Sequence, residues 1–90
     1  MQRLKNRLDH TAHGWALLTM RVPAIRKLAN HRYRISDICE SYSLATLHLR
    51  GLIAEDGDVT LINEYEEIVA SIEQEAQYYL ETWIEREHLN

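Results

Sequence analysis

INEYEEIVASIEQEAQYYLETW, residues 62–83, decides the fold. Ile62, Tyr65, Val69, Ile72, Ala76, Tyr79 and Trp83 recur at alternating steps of three and four, which is the spacing of one face of an α-helix. The pattern predicts a helix over about residues 61–87, about 40 Å long at 1.5 Å per residue. Thr60 or Asn63 can cap it, and Asn63 with Glu66 has capping-box spacing. Just upstream, Glu55, Asp56, Gly57 and Asp58 read as a short acidic turn, with Gly57 placed to take a positive φ.

Before that turn lies a second seam, Ile38, Tyr42, Ala45, Leu49 and Leu52, spaced 4-3-4-3. Ser36 is its expected N-cap, and Asp37 and Glu40 suit the positive end of the helix dipole. Two seamed helices joined by so short a turn predict an antiparallel hairpin. Asn30 to Arg34 reads as a connector. Further upstream, Leu8, Ala12, Trp15, Leu18, Val22 and Ile25 keep helical spacing until Pro23 interrupts it. Proline in a helix interior loses a hydrogen bond, so a break is expected there, with a new helix carrying Ile25, Leu28 and Ala29. The fold expected is all-α: a compact bundle of three to four helices with a long C-terminal helix in an antiparallel helical hairpin. It forms a single domain over residues 1–90, with 1–8 flexible.

Composition agrees with this reading. The chain has 90 residues, 46% of them apolar and 27% charged, with three Gly and one Pro, which favours helices over a turn-rich β fold. No apolar run approaches the roughly 18 residues that span a bilayer, so no membrane contact is expected. A single cysteine, Cys39, excludes an internal disulfide framework and suits a reducing, cytoplasmic setting; a small buried hydrophobe is its expected role.

No catalytic constellation stands out. His10 and His13 share a helical face beside Asp9, but zinc needs three or four ligands, so no metal is expected. His48 lies near the second seam without an acid or nucleophile beside it in sequence. The many glutamates of the last helix lie along an exposed surface, where nothing would shift a carboxyl into the range of a general acid. No glycine-rich phosphate loop and no nucleophile elbow is present, so neither a cofactor nor an enzymatic activity is expected.

Charge is divided between the two parts of the chain. Residues 1–34 hold eight Lys or Arg against Asp9, a net of +7, while residues 35–90 hold thirteen acids against Arg50 and Arg86, a net of −11. The two parts either pair internally or form separate contact surfaces. Arg21, Arg26, Lys27, Arg32 and Arg34, with Tyr33 among them, make a nucleic-acid-binding segment of helix-turn-helix length the alternative reading. The following helix opens Asp37-Ile38-Cys39-Glu40, however, and acids leading into a groove meet phosphate repulsion.

Apolar residues off the two seams carry the leading expectation. Leu44 and Leu47 lie more than about 90° from the Ile38–Leu52 seam on a 100°-per-residue wheel, and Tyr78, Leu80 and Ile84 widen the stripe of the last helix. Leu44, Leu47, Tyr78, Tyr79 and Trp83, with Glu73, Glu81 and Glu85 as steering charges, are the expected protein-binding residues. Two family resemblances go with this. Residues 38–57, beginning ICESYSLATLHL and followed by a long helix, resemble the helical hairpin of phage small terminase subunits over about half the chain, without that family's C-terminal motif. The whole chain, with its stretches WALL (15–18) and DICESY (37–42), resembles the small QseM-type antiactivators that silence rhizobial quorum-sensing activators. That resemblance implies a bacterial regulator of transcription whose protein partner is a transcriptional activator, bound and occluded.

Overall fold

The computed structural model describes residues 8–89, so the flexibility expected of residues 1–8 falls almost wholly outside it. Among the described residues every element is helical, and there is no strand. Helix α1 spans His10–Arg21, a 3₁₀ segment spans Pro23–Ile35, α2 spans Ser36–Ala54 and α3 spans Val59–Leu89. No helix among them is long and apolar enough to cross a membrane.

Local chemistry explains most boundaries. Asp9 caps α1, its carboxylate accepting the Ala12 N–H at 3.0 Å. Pro23 ends the helix, as its missing N–H requires. The expectation of an α-helix beyond Pro23 needs correction, because the chain there winds as 3₁₀. Val22, Ile25, Leu28 and His31 are spaced by three, and three residues per turn stacks them on one edge. Ile25 and Leu28 are fully buried, while Ala29, assigned to the same face by α-helical counting, is exposed. His31, at φ −130°, kinks the segment, which then runs into α2 without a turn between them. Ser36 therefore sits inside the helix; its hydroxyl donates to the Tyr33 carbonyl at 3.0 Å, and buried Ile35 occupies the cap position.

The turn between α2 and α3 also departs from expectation. Asp56, at φ 59°, and not Gly57, takes the left-handed conformation. The Asp56 N–H donates to the Ile53 carbonyl at 3.1 Å and the Gly57 N–H to Leu52 at 2.8 Å, the paired bonds of a Schellman close. A short acidic side chain tolerates this region better than most. Asp58 then caps α3, accepting the Thr60 N–H at 2.7 Å, so the helix begins before the caps expected at Thr60 or Asn63. It runs for 31 residues, about 46 Å.

Leu18, Ile25, Leu28, Ile35, Cys39, Tyr42, Ala76 and Leu80 form the core, so every element contributes to it. The core lies where α1 and the 3₁₀ segment reach α2 and α3. Towards the α2–α3 turn only two helices remain, and Ile53, Val59 and Leu61 stay exposed. The molecule is accordingly a slab, with Cα extents of 50 × 38 × 17 Å. Gly14 sets the approach of α1 to α2. A Cβ built on it would stand 1.7 Å from the Cys39 carbonyl oxygen, so the two backbones cross in direct contact.

Candidate functional site

α1 packs on one flank of the α2–α3 pair and leaves the other open. Tyr42 of α2 meets Glu73 of α3 and His48 stacks on Tyr65, so the two helices run past each other in opposite directions. On the open flank they leave a groove of about 600 Å³. Leu44, Ala45 and His48 line it from α2, and Tyr65, Ile68 and Ile72 from α3, with Ser41 and Glu75 as polar rim. The His48 and Tyr65 rings stack at 4.4 Å between centroids and form one stretch of the groove wall. Leu44 is 49% exposed and Ile68 42%, so the groove is apolar and open to solvent.

Of the eight residues expected to bind a partner, Leu44 alone lines this groove. Tyr78 is 69% exposed but lies about 100° around α3 from it. Leu47 is half-buried, on the side of α2 turned towards Ser43. Tyr79 and Trp83 are half-buried and pack on the core. Trp83 stands 5.8 Å from the His31 ring of the 3₁₀ segment, and Tyr79 packs on the same core that holds Ile25, Leu28, Ile35 and Leu80. Glu81 and Glu85 are exposed, whereas Glu73 turns inward. What sequence reasoning passed over is a second stripe on α3, Leu61, Tyr65, Ile68 and Ile72. Its 4-3-4 spacing was present in the sequence, with Ile68 off the main seam.

Glu73 is held by two partners. The Tyr42 hydroxyl donates to its Oε2 at 2.5 Å, and Arg21 Nε lies 3.4 Å from the same oxygen. Burial, and then the adjacent Glu73 carboxylate, push the Tyr42 phenol well above its ordinary range. The sign of the linkage follows. The phenol ionises more readily in the unfolded chain, so its contribution is complete below about pH 10 and is lost as the pH rises beyond that. Tyr42→Phe is expected to cost about 1.5–3 kcal/mol at pH 7, the range for a hydrogen bond to a charged group. The gap to the parent protein should narrow in urea melts at pH 10 to 11. A gap that stays constant or widens would contradict the assignment.

His10 and His13 also reach a common partner. Each directs Nδ1 at the Ser43 hydroxyl, at 2.9 and 2.8 Å respectively. One hydroxyl carries one proton, so it donates to one imidazole and accepts from the other, which gives the two rings opposite tautomeric roles. Ser43 is fully buried, with no room beside it for a substrate carbonyl. The three side chains fasten α1 to α2. No cluster of three or more His, Cys, Asp or Glu able to hold a metal occurs among the described residues. Buried Cys39 has its thiol pushed up by desolvation.

Among the described residues the basic and acidic parts of the chain meet at few points. Arg21–Glu73 is the one salt bridge among the described residues. Arg26, Lys27, Arg32 and Arg34 are exposed. Aromatic faces hold two of them, with Arg32 5.6 Å over Trp15 and Arg34 5.7 Å over Tyr33. The segment bearing them winds as 3₁₀ with a kink at His31 and then runs into α2. Comparison with protein-family models, curated proteins and solved structures gave no match.

Proposed function

We propose that this chain is a non-catalytic regulator that binds another protein in the α2–α3 groove and occludes the surface it captures. The observation that carries this reading is the open apolar groove of Leu44, Ala45, Tyr65, Ile68 and Ile72, continued towards the turn by exposed Leu61. Its shape suits a helix. An amphipathic helix laid along the open flank would touch α2 and α3 at once and cover the apolar residues of both. Glu75 at the rim and exposed Glu64 beside it favour a partner segment bearing cations, and Glu81 and Glu85 extend the acidic field that steers its approach. A transcriptional activator, whose DNA-binding region is basic, fits that description. On this reading the protein is a cytoplasmic antiactivator.

The test is co-purification from the source cells with the parent chain, Leu44→Asp and Ile68→Asp, with folding checked by circular dichroism. Both substitutions put a charge in the groove and are expected to lose the partner while the helical signal and the melt stay unchanged. A partner retained by both variants refutes the groove. A partner unrelated to transcription removes the antiactivator role and leaves the docking surface standing.

The exposed cations favour a second reading, in which the 3₁₀ segment grips phosphates with Arg26, Lys27, Arg32 and Arg34 around Tyr33. A mobility-shift titration with mixed duplex DNA at low salt separates the two. A shift abolished by Arg26→Glu with Lys27→Glu supports phosphate binding, and no shift at tens of micromolar protein ends it.

A further inference from the structure

The chain ahead of α1 has the chemistry that the α2–α3 groove calls for. Residues 1–7, MQRLKNR, lie outside the described residues and carry Arg3, Lys5 and Arg7 with no acid. Met1, Leu4 and Leu8 recur at three and four, a spacing that gathers apolar side chains on one side of a helical turn. The groove has the complementary balance. Leu44, Ala45, Ile68 and Ile72 make it apolar, and Glu75 stands at its rim. Exposed Asp37 lies one turn before Ser41 on the same face of α2, and exposed Glu64 lies one turn before Ile68 on α3. No Lys or Arg among the described residues lines it.

The segment is also within reach. His10 and His13 fasten the start of α1 to Ser43, and Ser41, Leu44 and Ala45 line the groove within two residues of that anchor. Halfway around a helix about 10–12 Å across is a path of roughly 17 Å. Residues 1–9, at about 3.3 Å each, span up to roughly 30 Å. We infer that residues 1–7 cover the groove in the free protein, with Met1 and Leu4 against Leu44 and Ile68 and the three cations towards Glu75 and Asp37. This rests on the groove being a docking surface for a cationic segment, and it adds regulation to that surface: a partner binds only by displacing the arm. An arm on so short a tether acts at millimolar effective concentration, so the partner's affinity falls in proportion to the fraction of grooves that the arm leaves open.

A nitroxide attached at Gln2→Cys in the full chain, read through methyl signals in ¹H–¹³C spectra, tests this, with the parent chain as a check that buried Cys39 takes no label. Leu44, Ile68 and Ile72 are expected to lose most of their intensity until the nitroxide is reduced, while Leu17 and Met20 on the α1 flank keep theirs. Leu4→Asp, and separately Lys5→Glu with Arg7→Glu, should restore the groove signals with the circular dichroism unchanged. If the groove signals keep their intensity, if Leu17 and Met20 fall as far, or if the broadening survives either variant, the arm does not dock there. Nitroxide-bearing chains mixed with isotope-labelled chains that lack the nitroxide should leave the groove signals intact, and their loss would place a second copy's arm in the groove and overturn the assignment. Broadening combined with a failed co-purification keeps the arm and removes the protein partner. Loss of the partner in Ile68→Asp without broadening in the labelled chain does the reverse.

Discussion

Gly14→Ala is expected to destabilise the protein by about 4–5 kcal/mol, beyond the common range for single substitutions. Helix propensity alone predicts the opposite, a gain of about 1 kcal/mol, because alanine restricts the unfolded chain and favours the helix. Sterics decide the sign. The new methyl would lie 1.7 Å from the Cys39 carbonyl oxygen and 2.5 Å from its carbon, and both obstacles are backbone. A helix backbone cannot rotate away as a side chain can, so α1 as a whole has to move outward. That movement strips packing from buried Leu18 and stretches both histidine bonds to Ser43. Gly51 supplies the control, since a Cβ there meets nothing within 4 Å. Gly51→Ala should leave stability unchanged or raise it by up to about 1 kcal/mol. Urea melts of the two variants should therefore move apart, and parallel behaviour would show that α1 does not cross α2 at Gly14.

Leu28→Ala comes next, at about 2–5 kcal/mol. Its side chain is fully buried between Ile25 and the core, and little besides apolar contact holds the 3₁₀ segment in place. Runs of this helix type longer than three or four residues are uncommon because their hydrogen bonds are poorly aligned, so the stretch from Pro23 to the kink at His31 depends on the packing beneath it. The neighbouring position gives the contrast. Ala29 is exposed, and Ala29→Gln should stay within about 0.5 kcal/mol of the parent protein. Had the segment been α-helical, Ala29 would share the face of Ile25 and the glutamine would cost more. Equal losses at 28 and 29 would overturn the 3₁₀ register.

The candidate sites were less legible in the sequence than the helices. Leu44 was identifiable because it stands off the Ile38–Leu52 seam, and it does line the groove. Ile68 stands off its seam in the same way, whereas the larger aromatics Tyr79 and Trp83 lie on theirs and pack on the core. Those two are half-buried against the core, Trp83 beside the His31 ring, and no local pattern announces such a contact. Glu73 reads in sequence as one more exposed acid. Its inward role depends on Tyr42 and Arg21, 31 and 52 residues away, meeting at one oxygen.

The sequence by itself determined the helices α2 and α3, the acidic turn joining them, and the break at Pro23. Each follows from spacing, capping chemistry or a missing N–H, all of which act over a few residues. Tertiary structure alone decided that residues 23–35 wind at three per turn, that Gly14 brings two backbones into contact, and which apolar stripe remains open. Those outcomes depend on what lies across the gap between elements. A sequence records which side chains would gain from burial, but burial itself is a property of pairs of surfaces that the chain brings together only on folding.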